Sequence, residues 1–302
     1  MSNAIQYPLA APTLSGNDIT VDLMLKEPTR ITRYLSDLTL KGYFADRIFA
    51  AGGSVSGGAV VYDQLTKNDL FVKDDRDVQL VAPGAEFPIV DFDRQEPRVA
   101  QVEKFGGKFF VTDEARDRND SNQIQVGAQR LANTIQRKIH ARALAVLNAE
   151  MTALGASAQT LTGHNWGAVV TSGSAQTSAQ GWPAADIAAA QLIADKAELG
   201  VTFTLWIVNP QEKSAFQTVY GNQWRDVLSN WGVDMISSNQ VAAGTAWVVA
   251  ERQVGEQRLE KALSTETWRE QETERTWVQS SVRPVYVVTN PFSVVKVTGL
   301  GG

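Results

Sequence analysis

The sequence of 302 residues contains no cysteine and only two histidines, His140 and His164. Without cysteine there is no disulfide bond, thiol nucleophile or thiolate metal site. Two histidines leave few ways to build a histidine metal site or a hydrolase triad. His140, with Lys138 and Arg142 as neighbours, is expected to be solvated or to face a partner. No run approaches the roughly 20 apolar residues that span a bilayer, and residues 1–12 lack a signal-peptide pattern. We therefore predict a protein made in the cytoplasm that uses no cofactor and no metal and contacts no membrane.

The sequence also lacks a complete catalytic motif. Residues 106–108 (GGK) resemble the end of a phosphate-binding loop, but Val102 and Phe109 stand where that motif needs glycine and Ser or Thr. Ser54 and Ser56 lie among glycines without the G-x-S-x-G spacing of a nucleophile elbow. We predict that the protein is not an enzyme. A hydrolase that uses Ser and His is kept as an alternative from a different class.

Charge and apolar content indicate a folded chain with an acidic balance. The net charge is -5 and 43% of the residues are hydrophobic, which is enough for a substantial core. A chain of this sign is not expected to coat nucleic acid through a broadly basic surface. Local basic patches remain compatible with it.

The first third of the sequence is predicted to contain little helix. Residues 1–50, interrupted by Pro8, Pro12 and Pro28, are read as a weakly structured arm that needs a partner surface. Residues 51–58 (AGGSVSGG) are read as a glycine hinge. Residues 59–62, 70–72 and 78–81 are short strand candidates around a charged tip at 73–77. Acids and cations are interleaved in this tip (KDDRD), which favours a solvated or neighbour-pairing surface over a cation site. Because an isolated hairpin is marginally stable, we predict one that lies on another molecule.

A long amphipathic helix is the strongest pattern in the chain. Apolar residues recur at spacings of three or four from Ile124 to Met151. Asp120 with Gln123 forms a predicted cap pair, and Gly155 a predicted stop. At about 1.5 Å per residue, the helix would be on the order of 50 Å long. Four cations beside its polar face are candidates to face DNA phosphates: Arg130, Arg137, Lys138 and Arg142.

The second half of the chain mixes helices and strands. We predict helices at residues 183–200 and 211–220, with a turn at Asn209-Pro210. Strands are predicted at 202–208, 234–237 and 245–250 and, in the tail, at 275–279, 282–289 and 293–298. The chain is therefore expected to contain an α/β segment and to end in strands.

Four stretches carry a resemblance to a known family: GGAVVYDQ (57–64), PGAEFP (83–88), KFGGKFFVTDEARDRN (104–119) and VTNPFSVVKVTG (288–299). In these stretches and in the order of its parts, the sequence resembles the HK-ninety-seven-type major capsid proteins of tailed bacteriophages, especially those of actinobacterial phages. The resemblance implies an α+β fold divided as follows: N-terminal arm (1–50), extended β-hairpin loop (51–97), peripheral domain (98–182) with a spine helix (120–154), axial α/β domain (183–285), and a final strand (286–302) that returns to the peripheral domain.

The same resemblance implies a structural role. Copies of the chain would assemble as hexamers and pentamers into an icosahedral head around double-stranded DNA, in the host bacterial cytoplasm, and would remain in the virion. Expected partners are the chain itself, packaged DNA, and portal and scaffolding proteins, with a decoration protein as a further candidate. Contacts between subunits are expected at loop residues Tyr62, Lys67, Phe71, Lys73, Asp75, Arg76 and Asp77. The alternative within this fold is an encapsulin-type shell that encloses a cargo enzyme.

Overall fold

The computed structural model describes residues 20–40, 44–66, 78, 80–88 and 97–301. Its α-helices are α1 (Val21–Lys26), α2 (Pro28–Leu40), α3 (Ala45–Ile48), α4 (Asp113–Asp117), α5 (Ser121–Leu154), α6 (Pro183–Lys196), α7 (Pro210–Tyr220) and α8 (Trp224–Asn230). Its strands are β1 (Ala50–Ser54), β2 (Ala59–Tyr62), β3 (Arg98–Gln101), β4 (Phe105–Thr112), β5 (Thr160–Thr162), β6 (Leu205–Val208), β7 (Asp234–Ser237), β8 (Thr245–Val249), β9 (Gly255–Glu270), β10 (Arg275–Val288) and β11 (Val294–Thr298).

Helix α5 confirms the long helix predicted from the apolar period. Its buried side chains begin at Ile124 and end at Met151. The Asp120 side chain accepts a hydrogen bond from the backbone N–H of Asn122 at 3.0 Å, and Gly155 ends the helix with a positive φ of 52°. The predicted cap pair is only half right, because the Gln123 side chain instead accepts from the backbone N–H of Thr112.

A four-stranded sheet in the order β1-β9-β10-β4 packs against α5. Strands β9 and β10 form a long antiparallel hairpin, and β10 also pairs along the whole of β4. Strand β9 was not predicted, because most of its side chains are polar or charged and only half-buried. It is held in place by pairing with β10, a long-range contact that local composition does not reveal.

A five-stranded sheet in the order β5-β11-β8-β6-β7 forms the second layer. Its central strands are buried on both faces, as expected from their continuous apolar runs. One face, with Leu205 and Ile207, packs toward α5. The opposite face, with Trp206 and Val208, packs against helix α6 through residues such as Ile187. The sheet therefore lies between the long helix and the helices of the α/β segment.

Two segments pair differently from the predicted domain assignment. We predicted that residues 183–285 belong to one axial unit and that the last strand returns to the unit of the long helix. Strands β9 and β10 instead pair in the sheet of β4, while β11 pairs with β8 and β5. The prediction followed chain order, whereas strand partners here are distant in sequence. The apolar run of β11 suits a central strand with both faces covered.

Residues 20–40 and 44–50 are also more structured than predicted. Val21, Leu25, Ile31 and Leu35 are buried in the same core as α5. The prediction read Pro28 as an interruption, but it is the first residue of α2, a position that tolerates proline. The prediction of a weakly structured arm that needs a partner surface is therefore wrong for this part of the chain. Residues 1–19 lie outside the described chain.

The predicted glycine hinge is partly a strand. Strand β1 pairs in parallel with β9, and only then do Gly57 and Gly58, with φ of 90° and 79°, turn the chain into β2. Strand β2 pairs antiparallel with β3, which confirms the strand predicted at 59–62. Residues 70–72 lie outside the described chain, and residues 78, 80 and 81 are not in a strand.

The remaining local predictions are largely confirmed. Helix α6 begins at the predicted proline, and α7 covers the predicted short helix. Asn209, predicted to form a turn, is the N-cap of α7, because its side chain accepts a hydrogen bond from the Gln211 backbone N–H at 3.0 Å. The two tail strands predicted on either side of residue 280 form one continuous strand, β10.

Candidate functional site

The ribbon of β2 and β3 is the base of the predicted extended loop, and its inner face is anchored on the chain itself. Val60 is buried against Val285 and Val287 of β10. Tyr62, half-buried on the same face, is packed against this cluster. Burial, followed by the charge of Glu150, raises the pKa of the Tyr62 hydroxyl above its ordinary value. Tyr62, predicted to contact a neighbouring subunit, thus lies against its own chain.

Polar contacts fix the direction of this ribbon along α5. Glu103 pairs with Arg142 at 2.7 Å, and Arg98 pairs with Glu150 at 2.7 Å. The Gln64 amide also donates to Glu150 at 3.0 Å. From Arg142 to Glu150 the helix advances about 12 Å toward its C-terminal end. The loop therefore leaves the described structure at the C-terminal end of α5.

The described part of the loop exposes large apolar side chains. Val61 and Val99 face each other across the ribbon and are 66% and 63% exposed. Leu80 and Phe87 are exposed as well, at 104% and 79%. The other predicted contact residues lie outside the described chain: Lys67, Phe71, Lys73, Asp75, Arg76 and Asp77. The exposed Val61–Val99 pair forms an apolar surface that suits contact with another molecule.

A groove with a volume of about 1030 Å³ lies between strand β4 and the N-terminal half of α5. Its apolar floor includes Phe105, Phe109, Leu131 and Ile135. Two glycines allow the strand and the helix to lie close together. A Cβ on Gly107 would come within 2.8 Å of Leu131, and one on Gly127 would overlap the Phe109 ring.

Four cations line this groove: Lys104, Lys108, Arg130 and Lys138. No Asp or Glu is among the described residues that line it. None of the four has a carboxylate partner in the part of the chain that the structure describes, whereas Arg142 is paired with Glu103. Lys108 instead lies over the Trp277 ring at 4.1 Å. Arg130 and Lys138 therefore lie over the apolar floor from α5, whereas Lys104 and Lys108 lie on the face of β4 opposite to Phe105 and Phe109, so the four cations surround the free edge of the strand.

Sequence reasoning found only part of this groove. Arg130 and Lys138 were candidates from the helix pattern, and the structure brings them together. Arg137 is exposed but does not line the groove. Lys104 and Lys108 were missed, although two lysines four apart in a strand lie on one side of it, which is a usable signal.

His140 is a buried core residue. It is 6% exposed, and its Nε2 accepts a hydrogen bond from the Phe44 backbone N–H at 3.3 Å. The Phe44 ring packs on the imidazole at a centroid distance of 4.0 Å. Burial lowers the pKa of His140 to about 4. This histidine joins α5 to the N-terminal helices and was wrongly expected to be solvated or partner-facing.

His164 forms a pair with a buried carboxylate. Its Nδ1 lies 2.7 Å from Asp186 Oδ1, and Asp186 Oδ2 accepts from the indole N–H of Trp166 at 2.7 Å. A hydrolase would need a serine next to this imidazole. Within the described residues no serine hydroxyl hydrogen-bonds to His164, so the pair holds the loop before α6 and provides no nucleophile.

The described chain also contains no group of three or more His, Asp or Glu residues placed to hold a metal ion. Among the helices that the structure describes, none is both long and apolar enough to cross a membrane.

A family model described as "Phage capsid protein" matches residues 95–297, about two thirds of the chain. The match spans strands β3 to β10, the long helix and the residues that line the groove. A comparison with curated proteins gave no match.

Solved structures share the fold at low sequence identity. The chain is similar to a virus-like particle from Pyrococcus furiosus, with a TM-score of 0.61, 14% identity, and coverage of 90% of this chain and 99% of that one. It is similar to a structure from Mycobacterium phage Bobi, with a TM-score of 0.57, 13% identity and coverage of 86% and 91%. The capsid of cyanophage P-SCSP1u gives a TM-score of 0.52 at 15% identity, with coverage of 84% and 88%. These likenesses confirm the predicted α+β capsid fold.

Proposed function

This chain belongs to the phage capsid protein family, and from that premise we propose that it is a major capsid protein whose copies assemble as hexamers and pentamers into an icosahedral head around double-stranded DNA. Family membership itself identifies a structural shell protein of the virion, in agreement with the predicted non-enzymatic role. Assembly in the host bacterial cytoplasm, and the partnership with portal, scaffolding and decoration proteins, belong to the proposal.

The observation that carries the proposal is the exposed apolar surface of the loop. Val61, Val99, Leu80 and Phe87 are all more than half exposed. Val78 is similarly exposed, at 77%. Burial of these side chains against a neighbouring copy would remove apolar surface from water, which favours assembly. Contacts of this kind with several neighbours add up through multivalency, so a shell without disulfides can still be stable.

The proposed DNA-facing residues are supported unequally. Arg130 and Lys138 lie in the groove without a carboxylate partner in the described chain, and Arg137 is exposed beside it. Arg142 is neutralised by Glu103. Phosphate contacts would therefore come from the first three residues, because an ion-paired guanidinium offers less to a phosphate.

An encapsulin-type shell remains the second candidate. The observation in its favour is the likeness to the virus-like particle, which covers nearly all of that chain. The fold itself is common to both readings. The contents of the particles separate them, since packaged DNA indicates a phage head and an enclosed enzyme indicates a nanocompartment.

The experiment is to shorten the loop while keeping its anchored base. Residues 66–96 are replaced by a four-residue Gly-Ser turn, which retains Val60 in its cluster and the Leu65 N–H bond to Thr289 at 2.8 Å. We expect a folded subunit, by circular dichroism and cooperative urea unfolding, that forms no closed particles by electron microscopy. A second variant replaces Val61 and Val99 with Thr and keeps the loop, and it should also form fewer particles, because these two exposed side chains are part of the proposed contact. Normal particles from the shortened protein would contradict the proposal that the loop joins subunits.

A further inference from the structure

The sheet formed by β4, β10 and β9 carries a row of three aromatic side chains on one face. Phe110, Trp277 and Trp268 stand opposite one another on these strands. The ring centroids of Phe110 and Trp277 are 5.4 Å apart, and those of Trp277 and Trp268 are 6.4 Å apart. Val111 and Val278, the next residues of β4 and β10, are buried in the core with α5, so the row lies on the opposite face.

This aromatic row is open to a ligand. Phe110 is 45% exposed and Trp268 is 40% exposed. Single apolar side chains on a surface are ordinary, but three rings in register across neighbouring strands form one continuous surface. Exposed rings on adjacent strands of a sheet are a known means of stacking the free bases of a single nucleic-acid strand.

Cations flank the row. The Lys108 ammonium lies 4.1 Å from the centre of the Trp277 ring, and the Arg275 guanidinium lies 4.7 Å from it. Arg275 is paired with Glu270 at 2.6 Å, whereas Lys108 has no carboxylate partner among the described residues. Lys108 therefore offers its charge to an anion beside the rings.

The positive charge continues around the free edge of β4. This strand is the last of its sheet, and no other strand in the described part of the chain pairs with its second edge. Strand β4 and helix α5 run antiparallel, because Thr112 contacts Gln123 and, further along, Gly107 lies against Leu131. The cations therefore form one pair at each end of the groove: Lys104 with Lys138, and Lys108 with Arg130. The two pairs are about 12 Å apart along the helix.

These features define the chemistry of the ligand. Four cations without a carboxylate partner in the described chain, on a protein whose net charge is -5, favour a polyanion. Exposed rings beside them favour a polyanion with free planar faces. A DNA duplex keeps its bases stacked inside, so it could contact the cations but not the rings. A second copy of the same face would bring like charges together. A single strand suits both the cations and the rings.

We propose that this face binds single-stranded nucleic acid, with bases stacked on Phe110 and Trp268. Phosphates contact Lys108 and the three other cations around the edge of β4. This site goes beyond the proposed enclosure of duplex DNA. All its residues belong to one subunit, so binding does not require an assembled shell.

Fluorescence anisotropy of the full chain with a labelled oligodeoxythymidine of about 20 nucleotides tests the proposal. The titration uses subunits that sedimentation shows to be unassembled, and a duplex of equal length is the comparison ligand. We expect the single strand to bind at least about tenfold more tightly than the duplex. Its dissociation constant should rise with about the third power of the salt concentration, because four phosphate contacts predict that dependence.

Substitutions separate stacking from charge. Phe110→Ala and Trp268→Ala should each weaken binding of the single strand by about 5- to 100-fold, while Trp268→Phe should retain most of it. Lys108→Gln should lower the salt dependence by about one phosphate contact. The matched controls are Trp231→Ala, at an exposed tryptophan just after α8, and Lys196→Gln, at an exposed lysine that ends α6. Urea unfolding confirms that each variant is folded.

The outcomes separate this inference from the proposed shell function. Equal binding of duplex and single strand, unchanged in the two alanine variants, would overturn the inference, because the site would then be a charged patch alone. Alanine variants that bind the strand normally but form no particles would also overturn it, because the row would then be a contact between subunits. An unaltered chain that never forms particles would refute the shell function and leave this site standing, since the titration uses free subunits.

Discussion

His140 should make the stability of the subunit depend on pH. In the folded protein its Nε2 accepts the Phe44 N–H, so a protonated ring would lose this bond and carry a buried charge. The pKa is lowered from 6.5 to about 4. A proton therefore binds the unfolded chain more readily than the folded one between these values. Stability is fully present above about pH 6.5 and is lost as the pH falls toward 4.

The size of this loss follows from the shift. At 1.36 kcal/mol per pKa unit, the full effect is about 3 kcal/mol, of which roughly 2 kcal/mol is lost by pH 5. Urea unfolding at pH 7.5, 6 and 5 measures it, with His140→Gln as the control because glutamine can accept the same hydrogen bond without titrating. We expect the difference between the two proteins to narrow by roughly 2 kcal/mol between pH 7.5 and 5. Parallel pH profiles would refute the reasoning.

Two further substitutions test the packing around the candidate site. Gly127→Ala should gain about 1 kcal/mol of helix propensity but lose roughly 1–3 kcal/mol because the new methyl group overlaps the Phe109 ring. Urea unfolding should therefore show a net loss of stability. The control Gln125→Ala, on the exposed side of the helix, should show no such loss. A stabilised Gly127→Ala would show that the ring moves aside freely. Asp186→Ala should lower the free energy of unfolding by about 2–4 kcal/mol, because the buried indole N–H of Trp166 loses its acceptor. His164→Gln changes a half-exposed side chain and should lower it by under about 1 kcal/mol in the same measurement. Equal losses would contradict the assignment of Asp186 as the buried anchor.

The sequence predicts elements well where a single period decides them. Helix α5 was predicted nearly to its ends because its apolar residues repeat over eight turns of helix without interruption. Helix α2 was missed because Ile31 and Leu35 are only one turn apart and Pro28 suggested a break. Strand β9 was missed because its side chains are half-buried and polar, and only its pairing with β10 makes it a strand.

Sheet membership and the candidate site depend on contacts that sequence order does not contain. The valines of β11 predict a buried central strand, but they do not predict that its partner is β8. The groove was foreseen only in part, because Arg130 and Lys108 come from different elements that meet through the small residues Gly107 and Gly127. Spacing predicts the side of an element on which a residue lies, but not what faces it.

The central claim is that copies of this chain build a shell. Its most direct test is electron microscopy of the full chain, purified after expression alone and together with the other head proteins of its phage. The account predicts closed isometric particles with five-fold and six-fold clusters of subunits, and DNA inside them when packaging is supported. A monodisperse monomer under both conditions, at concentrations at which capsid proteins assemble, would contradict it.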